Sequence, residues 1–257
     1  MILTVNIGNT HLTVAAYRAG ALLFSGKLSA AAATSDEYAI RLIHLLTLHH
    51  SAPDQIEGVM LASVVPALTG QVMAALRMLT AVRIMTVGPG LKSGLKLRLD
   101  QPSQLGGELL CGVVAAMAEG PAPMAVIFSD TALTIMGVNS QKELVGGVIL
   151  PGPQLSMASL VQNTAQLPQV DLTAPAPASV LGKNTSACLQ GGLLLGTACM
   201  LDGLADRFRA ELGPETRFYA TGNLPVNLRK ACHTPILYRE NLVSDGLYRI
   251  WLRNRKG

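Results

Sequence analysis

The sequence is poor in aromatic and charged residues: 4% of its 257 residues are Phe, Trp or Tyr, and 14% are charged. Few aromatics, and no recognisable reader motif, argue against a surface that binds nucleic-acid bases. The net charge of +4 includes a C-terminal basic cluster formed by Arg249, Arg253, Arg255 and Lys256. A solvated helix face is the commoner source of such a cluster, so we expect no nucleic-acid partner.

The sequence also lacks the usual patterns for disulfides and structural zinc. Its four cysteines contain no Cys-x-x-Cys pair and lie far apart, at Cys111, Cys188, Cys199 and Cys232. The histidines of the Leu-rich stretch 44–50 contain no i,i+4 pair of the kind that binds zinc from one helix face. We therefore expect free thiols in a reducing cytoplasm, and no zinc site.

No segment predicts membrane insertion or export. The long apolar stretch Gly58–Val87 is interrupted by polar residues and by Pro66, so it is typical of a strand, a helix and a strand in a core. The first eight residues lack the positively charged start of a signal peptide. The apolar share of 49% is enough to fill a substantial core. These features indicate a cytoplasmic protein without a membrane partner.

A pattern of strand, turn, strand, turn and strand occurs twice. Alternating apolar residues run from Leu3 to Leu28 with polar turns at Gly8-Asn9-Thr10 and Arg18-Ala19-Gly20, and the same order returns from Ala125 to Leu150. Such a duplication predicts an α/β protein of two similar lobes with a cleft between them. We place the lobes at residues 1–116 and 117–257.

Helical patterns lie between and after the two copies. The predicted helices are Asp36–His50, Leu105–Glu119, Leu155–Thr164, Thr185–Leu212 and Asp245–Asn254, and a further strand is predicted at Arg217–Thr221. The helix from Thr185 is apolar nearly all round, so it needs a cover on each side. We expect a homodimer in which a second copy supplies part of that cover; burial wholly within one chain is the alternative.

The first turn, Asn6-Ile7-Gly8-Asn9-Thr10, could bind phosphate, because a glycine lets the backbone approach a ligand and short polar residues supply donors. A Gly-Asn hairpin turn chosen only for its conformation is an equal alternative. The second turn, Ser129-Asp130-Thr131, favours the phosphate interpretation, since two equivalent turns facing one cleft could bind a polyphosphate. The turn Ala220-Thr221-Gly222-Asn223 after an apolar strand could place flat backbone against a nucleotide ring, and a simple strand-ending turn is an equal alternative.

Taken in order, these segments resemble the type III pantothenate kinases, in the superfamily of sugar kinases, Hsp70 and actin. The resemblance covers nearly the whole chain. Its motifs are Asn6-Ile7-Gly8-Asn9-Thr10, Ser63-Val64-Val65-Pro66, Val87–Gly94, Pro102 with Leu105-Gly106-Gly107, Gly146-Gly147 with Pro151-Gly152, Gly182-Lys183-Asn184-Thr185, and Thr221-Gly222.

The resemblance implies two lobes of the actin-like (ribonuclease H-like) ATPase fold, with duplicated βββαβαβα-type units. It also implies phosphorylation of pantothenate by ATP in coenzyme A biosynthesis, by a homodimer that uses Mg²⁺ and a monovalent cation. The nucleotide-binding positions it implies are Asn6, Ile7, Gly8, Asn9, Thr10, His11, Leu12, Thr13, Thr131 and Gly222.

Both turns depart from the family pattern. Asn6 stands where the family has the Asp that acts at the phosphates and the metal, and an amide cannot supply the charge that Mg²⁺ prefers. Phe128 stands at the Asp near the monovalent cation, and Asp130 replaces the turn glycine. We therefore expect weak ATP binding and no metal site; a partial replacement of the missing Asp by Asp130 is the alternative.

The substrate loop departs as well. Gly106-Gly107-Glu108-Leu109 stands where the family has Gly-Ala-Asp-Arg, so Glu108 occupies the position of the proton acceptor with one extra methylene. Leu109 replaces the substrate-binding Arg, and Leu99 replaces a Tyr. Thr185 retains its family identity.

These departures lead to three hypotheses. The first is that pantothenate kinase activity is lost or strongly reduced and that the chain acts as a binding or regulatory protein, with a small-molecule ligand. The second is an active kinase of pantothenate or of another small hydroxyl compound. The third is a transcription-associated accessory protein, which the basic C-terminus would serve.

Overall fold

The computed structural model describes residues 1–255, and the chain divides into two compact units. Unit 1 contains Met1–Gly94, Gln101–Glu119 and the chain from Asn241 onward. Unit 2 contains Leu95–Asp100 and Gly120–Glu240. The C-terminal helix therefore packs within unit 1, although the division predicted from the sequence assigned it to the second lobe. Lys256, part of the basic cluster, lies outside the described residues.

Unit 1 is a five-stranded mixed sheet with four helices. Its strands are β1 (Ile2–Ile7), β2 (His11–Arg18), β3 (Ala21–Ser29), β4 (Gly58–Ser63) and β5 (Ile84–Thr86), and its helices are α1 (Ser35–Leu48), α2 (Pro66–Leu79), α3 (Gly107–Glu119) and α7 (Leu242–Asn254). The strand order is β3-β2-β1-β4-β5. Strand β1 is antiparallel to β2 and parallel to β4. It is buried at every residue, as a central strand with both faces covered must be.

Unit 2 is a six-stranded mixed sheet with three helices. Its strands are β6 (Lys96–Leu97), β7 (Met124–Ser129), β8 (Ala132–Val138), β9 (Glu143–Pro151), β10 (Arg217–Gly222) and β11 (Ile236–Tyr238), and its helices are α4 (Pro153–Gln162), α5 (Thr185–Leu212) and α6 (Val226–Ala231). The strand order is β11-β10-β7-β8-β9-β6.

The two sheets repeat one topology, which confirms the predicted duplication and the α/β fold class. The order β3-β2-β1-β4-β5 in unit 1 corresponds to β9-β8-β7-β10-β11 in unit 2, and β6 extends the second sheet. In each unit an antiparallel meander is followed by two strands parallel to its first strand. The first turn of each meander therefore occupies the same place in its own sheet.

Local sequence explains where helix α1 begins. Thr34 accepts a hydrogen bond from the amide of Glu37, and Glu37 accepts one from the amide of Thr34, so the two residues form a capping box. Leu42 and Leu46, one turn apart, are buried against the sheet. The helix supports the strands that carry the first turn.

The last helix is fixed to the first hairpin of unit 1. The hydroxyl of Tyr17 on β2 donates to Asp245 Oδ1 on α7 at 2.7 Å, and the Tyr17 ring stacks on Tyr248 with centroids 4.6 Å apart. Burial raises the pKa of Tyr17, and the neighbouring Asp245 raises it further. Burial likewise raises the pKa of Asp245, although the Tyr17 hydrogen bond opposes that shift. These contacts hold α7 against the sheet.

Candidate active site

The first turn joins β1 to β2 and presents an exposed polar surface. The amide of Gly8 donates to the carbonyl of His11 at 3.0 Å and closes the turn, which leaves Asn9 and Thr10 exposed. Ile7 and Leu12, on either side, are fully buried in the core. Ile7 and Leu12, although predicted to bind nucleotide, can therefore offer only their backbone groups to a ligand. The carbonyl of Ile7 already accepts a hydrogen bond from the amide of Val64.

Asn6 is a buried amide near the end of β1. Its side chain is 6% exposed, and within residues 1–255 its Oδ1 has no hydrogen-bond partner. An unpaired buried acceptor costs about 1–3 kcal/mol, so such a group is an unusual feature that calls for a donor from outside the protein. Asn6 is thus suited to accept a hydrogen bond from a ligand or from a water bound to a metal ion.

The substrate loop lies at the same edge of the unit 1 sheet as Asn6. In the parallel register of β1 and β4, Asn6 is the partner of Ala62. A Cβ at Gly107 would lie 3.5 Å from the Ala62 Cβ and 3.2 Å from Val87 Cγ1, because the start of α3 packs directly on the ends of β4 and β5. The carboxyl ends of parallel strands are where α/β proteins bind ligands.

Glu108 stands in the first turn of α3. The helix begins there because the amide of Leu110 bonds to the carbonyl of Gly106 at 3.1 Å. The positive end of the helix dipole favours an ionised carboxylate at this position. Three residues further, burial raises the pKa of the Cys111 thiol, and the charge of Glu108 adds to the shift. Cys111 is therefore a buried, protonated thiol, and Glu108 carries the carboxylate of this turn.

The second turn places a carboxylate beside the end of β10. Asp130 is exposed, and its Oδ1 accepts a hydrogen bond from Asn223 Nδ2 at 3.1 Å. Its amide donates to the carbonyl of Ala132 at 3.0 Å, which makes this turn tighter than the first. Thr131 is exposed next to it. Asn223 is 93 positions away in sequence, and although it lies in a turn that the sequence marked as a candidate, its pairing with Asp130 was not predicted.

Gly222 brings β10 against the second turn. It has φ +86°, and a Cβ there would overlap the carbonyl oxygen of Ser129. Its own carbonyl accepts from the Tyr238 hydroxyl at 2.7 Å, and the Arg229 guanidinium lies 4.0 Å from the centre of the Tyr238 ring. Only glycine permits this backbone contact, so Gly222 fixes Asn223 beside Asp130.

Phe128, in β7, is buried at 4% exposure. It offers no oxygen to a cation. Across residues 1–255, no three His, Cys, Asp or Glu side chains come together as a metal site. Among the described residues of unit 1, the buried Asn6 Oδ1 is a free hydrogen-bond acceptor. Within unit 2, the exposed Asp130 carboxylate is the kind of oxygen ligand that Mg²⁺ prefers.

The remaining predicted substrate residues lie in unit 2. Thr185 is the first residue of α5, exposed, and preceded by Asn184, whose side chain caps the helix by accepting from the amide of Ala187. Leu99 lies in the short segment that carries β6. Unit 1 therefore brings together Asn6, the first turn and Glu108, and unit 2 brings together Asp130, Thr131 and Gly222.

The duplicated sheets and their equivalent turns define the class of the protein as the actin-like ATPase fold. A conserved putative Baf family transcriptional activator from Campylobacter jejuni superposes with TM-score 0.60 at 17% identity, over 99% of this chain and 100% of the other. An activator of 2-hydroxyisocaproyl-CoA dehydratase from Clostridium difficile, solved with bound ADPNP, superposes with TM-score 0.59 at 12% identity, over 99% and 96%. At sequence identities this low, the similarity shows only a shared fold.

The chain belongs to the type III pantothenate kinase family, whose model matches residues 2–207. A type III pantothenate kinase of Exiguobacterium sp. is 31% identical over 257 residues, covering 100% of both chains. Another, of Rhodospirillum centenum, is 36% identical over 230 residues, covering 89% of this chain and 85% of the relative. The family consists of soluble phosphotransferases that act on an alcohol group and use ATP with metal ions.

These matches correct the leading hypothesis from the sequence, that kinase activity is lost or strongly reduced. The two relatives, matched over 100% and 85% of their length at 31% and 36% identity, are type III pantothenate kinases, and nothing in the comparisons indicates inactivation. The hypothesis gave too much weight to single substitutions. Glu108 retains a carboxylate at the start of α3, and Asn6 retains a buried oxygen acceptor.

Helix α5 is long and apolar enough, by length and composition, to cross a membrane. The core helix of a soluble protein passes the same test, and α5 buries Leu194, Leu201 and Ala205 against unit 2. With the soluble family established, α5 is best described as a partly buried core helix.

Proposed function

We propose that this chain is an active type III pantothenate kinase, which transfers the γ-phosphoryl group of ATP to the hydroxyl of pantothenate in the cytoplasm. The observation that carries the proposal is the full-length match to relatives of that activity. The geometry of unit 1 supports it, because a carboxylate, a buried orphaned amide oxygen and an exposed glycine turn lie at one edge of the sheet.

In this proposal Glu108 is the general base. Its carboxylate, in the first turn of α3, accepts the proton of the attacking hydroxyl. The extra methylene relative to the family's Asp moves the carboxylate further from the helix, so the acceptor hydroxyl has to bind correspondingly further out. Leu109 stands where the family has the substrate-binding Arg, so its contact with the substrate would be apolar.

In each unit, the polar turn between the first two strands of the meander is proposed as a phosphate-binding element. Asn9 and Thr10 supply backbone and side-chain donors in the first turn, and Thr131 does so in the second. Mg²⁺ bound with ATP would neutralise phosphate charge. In unit 1, Asn6 Oδ1 would accept a hydrogen bond from a metal-bound water.

A coupled assay with ATP, Mg²⁺, K⁺ and pantothenate tests the proposal. We expect phosphorylation of pantothenate with turnover in the ordinary kinase range, about 1–100 s⁻¹. Omission of pantothenate gives the background of ATP hydrolysis. Absence of pantothenate phosphorylation would contradict the proposal, and phosphorylation of another small hydroxyl compound in a substrate panel would instead support altered specificity. The transcription-associated hypothesis has no observation that favours it.

We also propose that the protein is a homodimer through α5. The exposed side of this helix carries a row of small residues, formed by Gly192, Gly196, Cys199 and Gly203. A Cβ at each of these three glycines would meet no atom within 4 Å, so another helix could approach closely there. Only 28% of the most apolar 18-residue stretch of α5 is buried inside the chain.

Light scattering at micromolar concentration is expected to give twice the chain mass of 27.0 kDa, since a stable interface of this kind buries more than ~1,000 Å². Gly196→Glu, which places a charge in the row of small residues, is expected to give monomers. Gly70→Glu, at an open helix position in unit 1, is the matched control and is expected to stay dimeric. A monomer of the unmodified protein would contradict the proposal.

A further inference from the structure

The last turn of α7 holds a loop of unit 1 through its backbone. The amide of Lys92 donates to Asn254 Oδ1 at 3.0 Å, and Asn254 Nδ2 donates to the carbonyl of Lys92 at 3.1 Å. The same Nδ2 also donates to the carbonyl of Ile250 at 2.8 Å. One side chain therefore satisfies both backbone groups of a residue 162 positions away and is itself fixed to its own helix.

Arg253 completes this contact, which we call the C-terminal clamp: Arg253 and Asn254 bound to residues 92–94. Arg253 Nη1 donates to the carbonyl of Ser93. Gly94 has φ +76°, and its missing Cβ leaves the space that the Arg253 guanidinium occupies. Gly94 is also the last residue of unit 1 before the chain passes to Leu95 in unit 2. The clamp thus fixes one of the points where the chain leaves unit 1.

The other end of the clamped loop contacts the substrate loop. The amide of Val87 donates to the carbonyl of Leu61 at 2.7 Å, and the Val87 side chain packs on Gly107, next to Glu108. Between the two ends, Leu91 bonds back to the carbonyl of Gly88. The segment Val87–Gly94 is therefore anchored beside the proposed base at one end and by α7 at the other.

We infer that Asn254 is a positioning residue for the acceptor side of the reaction: it fixes Val87–Gly94, and thereby the wall of the acceptor site next to Glu108. The inference rests on the proposed function. Asn254 does not touch the reacting atoms. Its loss should affect the acceptor substrate more than ATP, because the first turn is held by β1 and β2, away from the clamp.

The test compares Asn254→Ala with Arg255→Ala, an exposed position on the same turn, in the full-length protein. Hydrogen–deuterium exchange of the peptide around Lys92 is expected to become about tenfold faster at the Lys92 amide in Asn254→Ala, as expected for loss of one ordinary hydrogen bond. The KM for pantothenate is expected to rise several-fold, whereas the KM for ATP and the melting temperature stay unchanged. Arg255→Ala should match the unmodified protein.

Asn254→Asp serves as partial rescue, because it keeps the acceptor for the Lys92 amide and loses the donor to the Lys92 carbonyl. Slow exchange at Lys92 with a pantothenate KM between those of the parent and Asn254→Ala would support the inference. If the Lys92 amide of Asn254→Ala exchanges at the rate of the parent protein, the clamp is refuted. Faster exchange with unchanged kinetics would refute the positioning role. If the parent protein phosphorylates no pantothenate, the proposed function and the positioning role both fail, and exchange still decides the clamp.

Discussion

Replacing Glu108 by Gln is expected to lower kcat for pantothenate phosphorylation by about 10²–10⁴-fold, the usual contribution of a general base. The change removes the ionisable oxygen while it retains the size of the side chain and its place in the first turn of α3. Because Gln cannot accept the proton of the attacking hydroxyl, the loss should fall on kcat more than on KM for ATP. Steady-state kinetics with ATP and pantothenate varied separately measure this.

Two further variants control for indirect effects. Glu108→Asp restores the family's residue and should retain much more activity than Glu108→Gln. Glu119→Gln removes a carboxylate at the other end of the same helix and should leave kcat within about twofold, as surface changes usually do. If the parent phosphorylates pantothenate, a Glu108→Gln enzyme with the same turnover would exclude Glu108 as the base.

The repeated sheet could be predicted from the sequence because each meander alternates apolar and polar residues around short polar turns. The predicted helix Thr185–Leu212 agrees with α5, and Gly58–Val87 does form a strand, a helix and a strand. The short elements β6, α6 and β11 were missed, since two to six residues carry too little periodicity to be recognised. Helix α3 starts at Gly107, two residues later than predicted.

Long-range contacts could not be predicted. Nothing in the local sequence around Asp130 indicates Asn223 as its partner, and nothing around Lys92 indicates Asn254. The sequence also did not indicate that Asn6 is buried, because an amide at the end of a strand is equally compatible with an exposed turn. The motifs located the candidate site, whereas the partners that orient its side chains depend on tertiary packing.

The inactivity inferred from the substitutions was wrong for a physical reason. A motif comparison treats each replaced side chain as a lost function, but a site is a set of oxygens and donors that several residues can supply. In the second turn, Phe128 replaces the family's Asp, and Asp130, two residues later, supplies a carboxylate. The turn glycine it replaces is not needed at that position, because Asp130 is not among the described residues with positive φ.

Replacing Gly246 by Ala is expected to destabilise the protein by about 3 kcal/mol and to lower the melting temperature by roughly 6–12 °C. Gly246 lies where α7 crosses α3, and a Cβ there would overlap the carbonyl oxygen of Cys111 and lie 2.8 Å from its Cα. Backbone cannot move aside as a flexible side chain can. The two helices must separate, which disturbs the start of α3 that carries Glu108. Thermal unfolding, followed by circular dichroism, measures the loss.

Gly70→Ala is the matched control for this prediction. Gly70 also lies inside a helix of unit 1, but a Cβ there would meet no atom within 4 Å. Alanine has the higher helix propensity, so this variant should be unchanged or more stable by up to about 1 kcal/mol. Equal melting temperatures for the two variants would show that the α3–α7 contact tolerates a side chain. A loss confined to Gly246→Ala, accompanied by a fall in kcat at temperatures where the variant remains folded, would show that this crossing holds Glu108 in place.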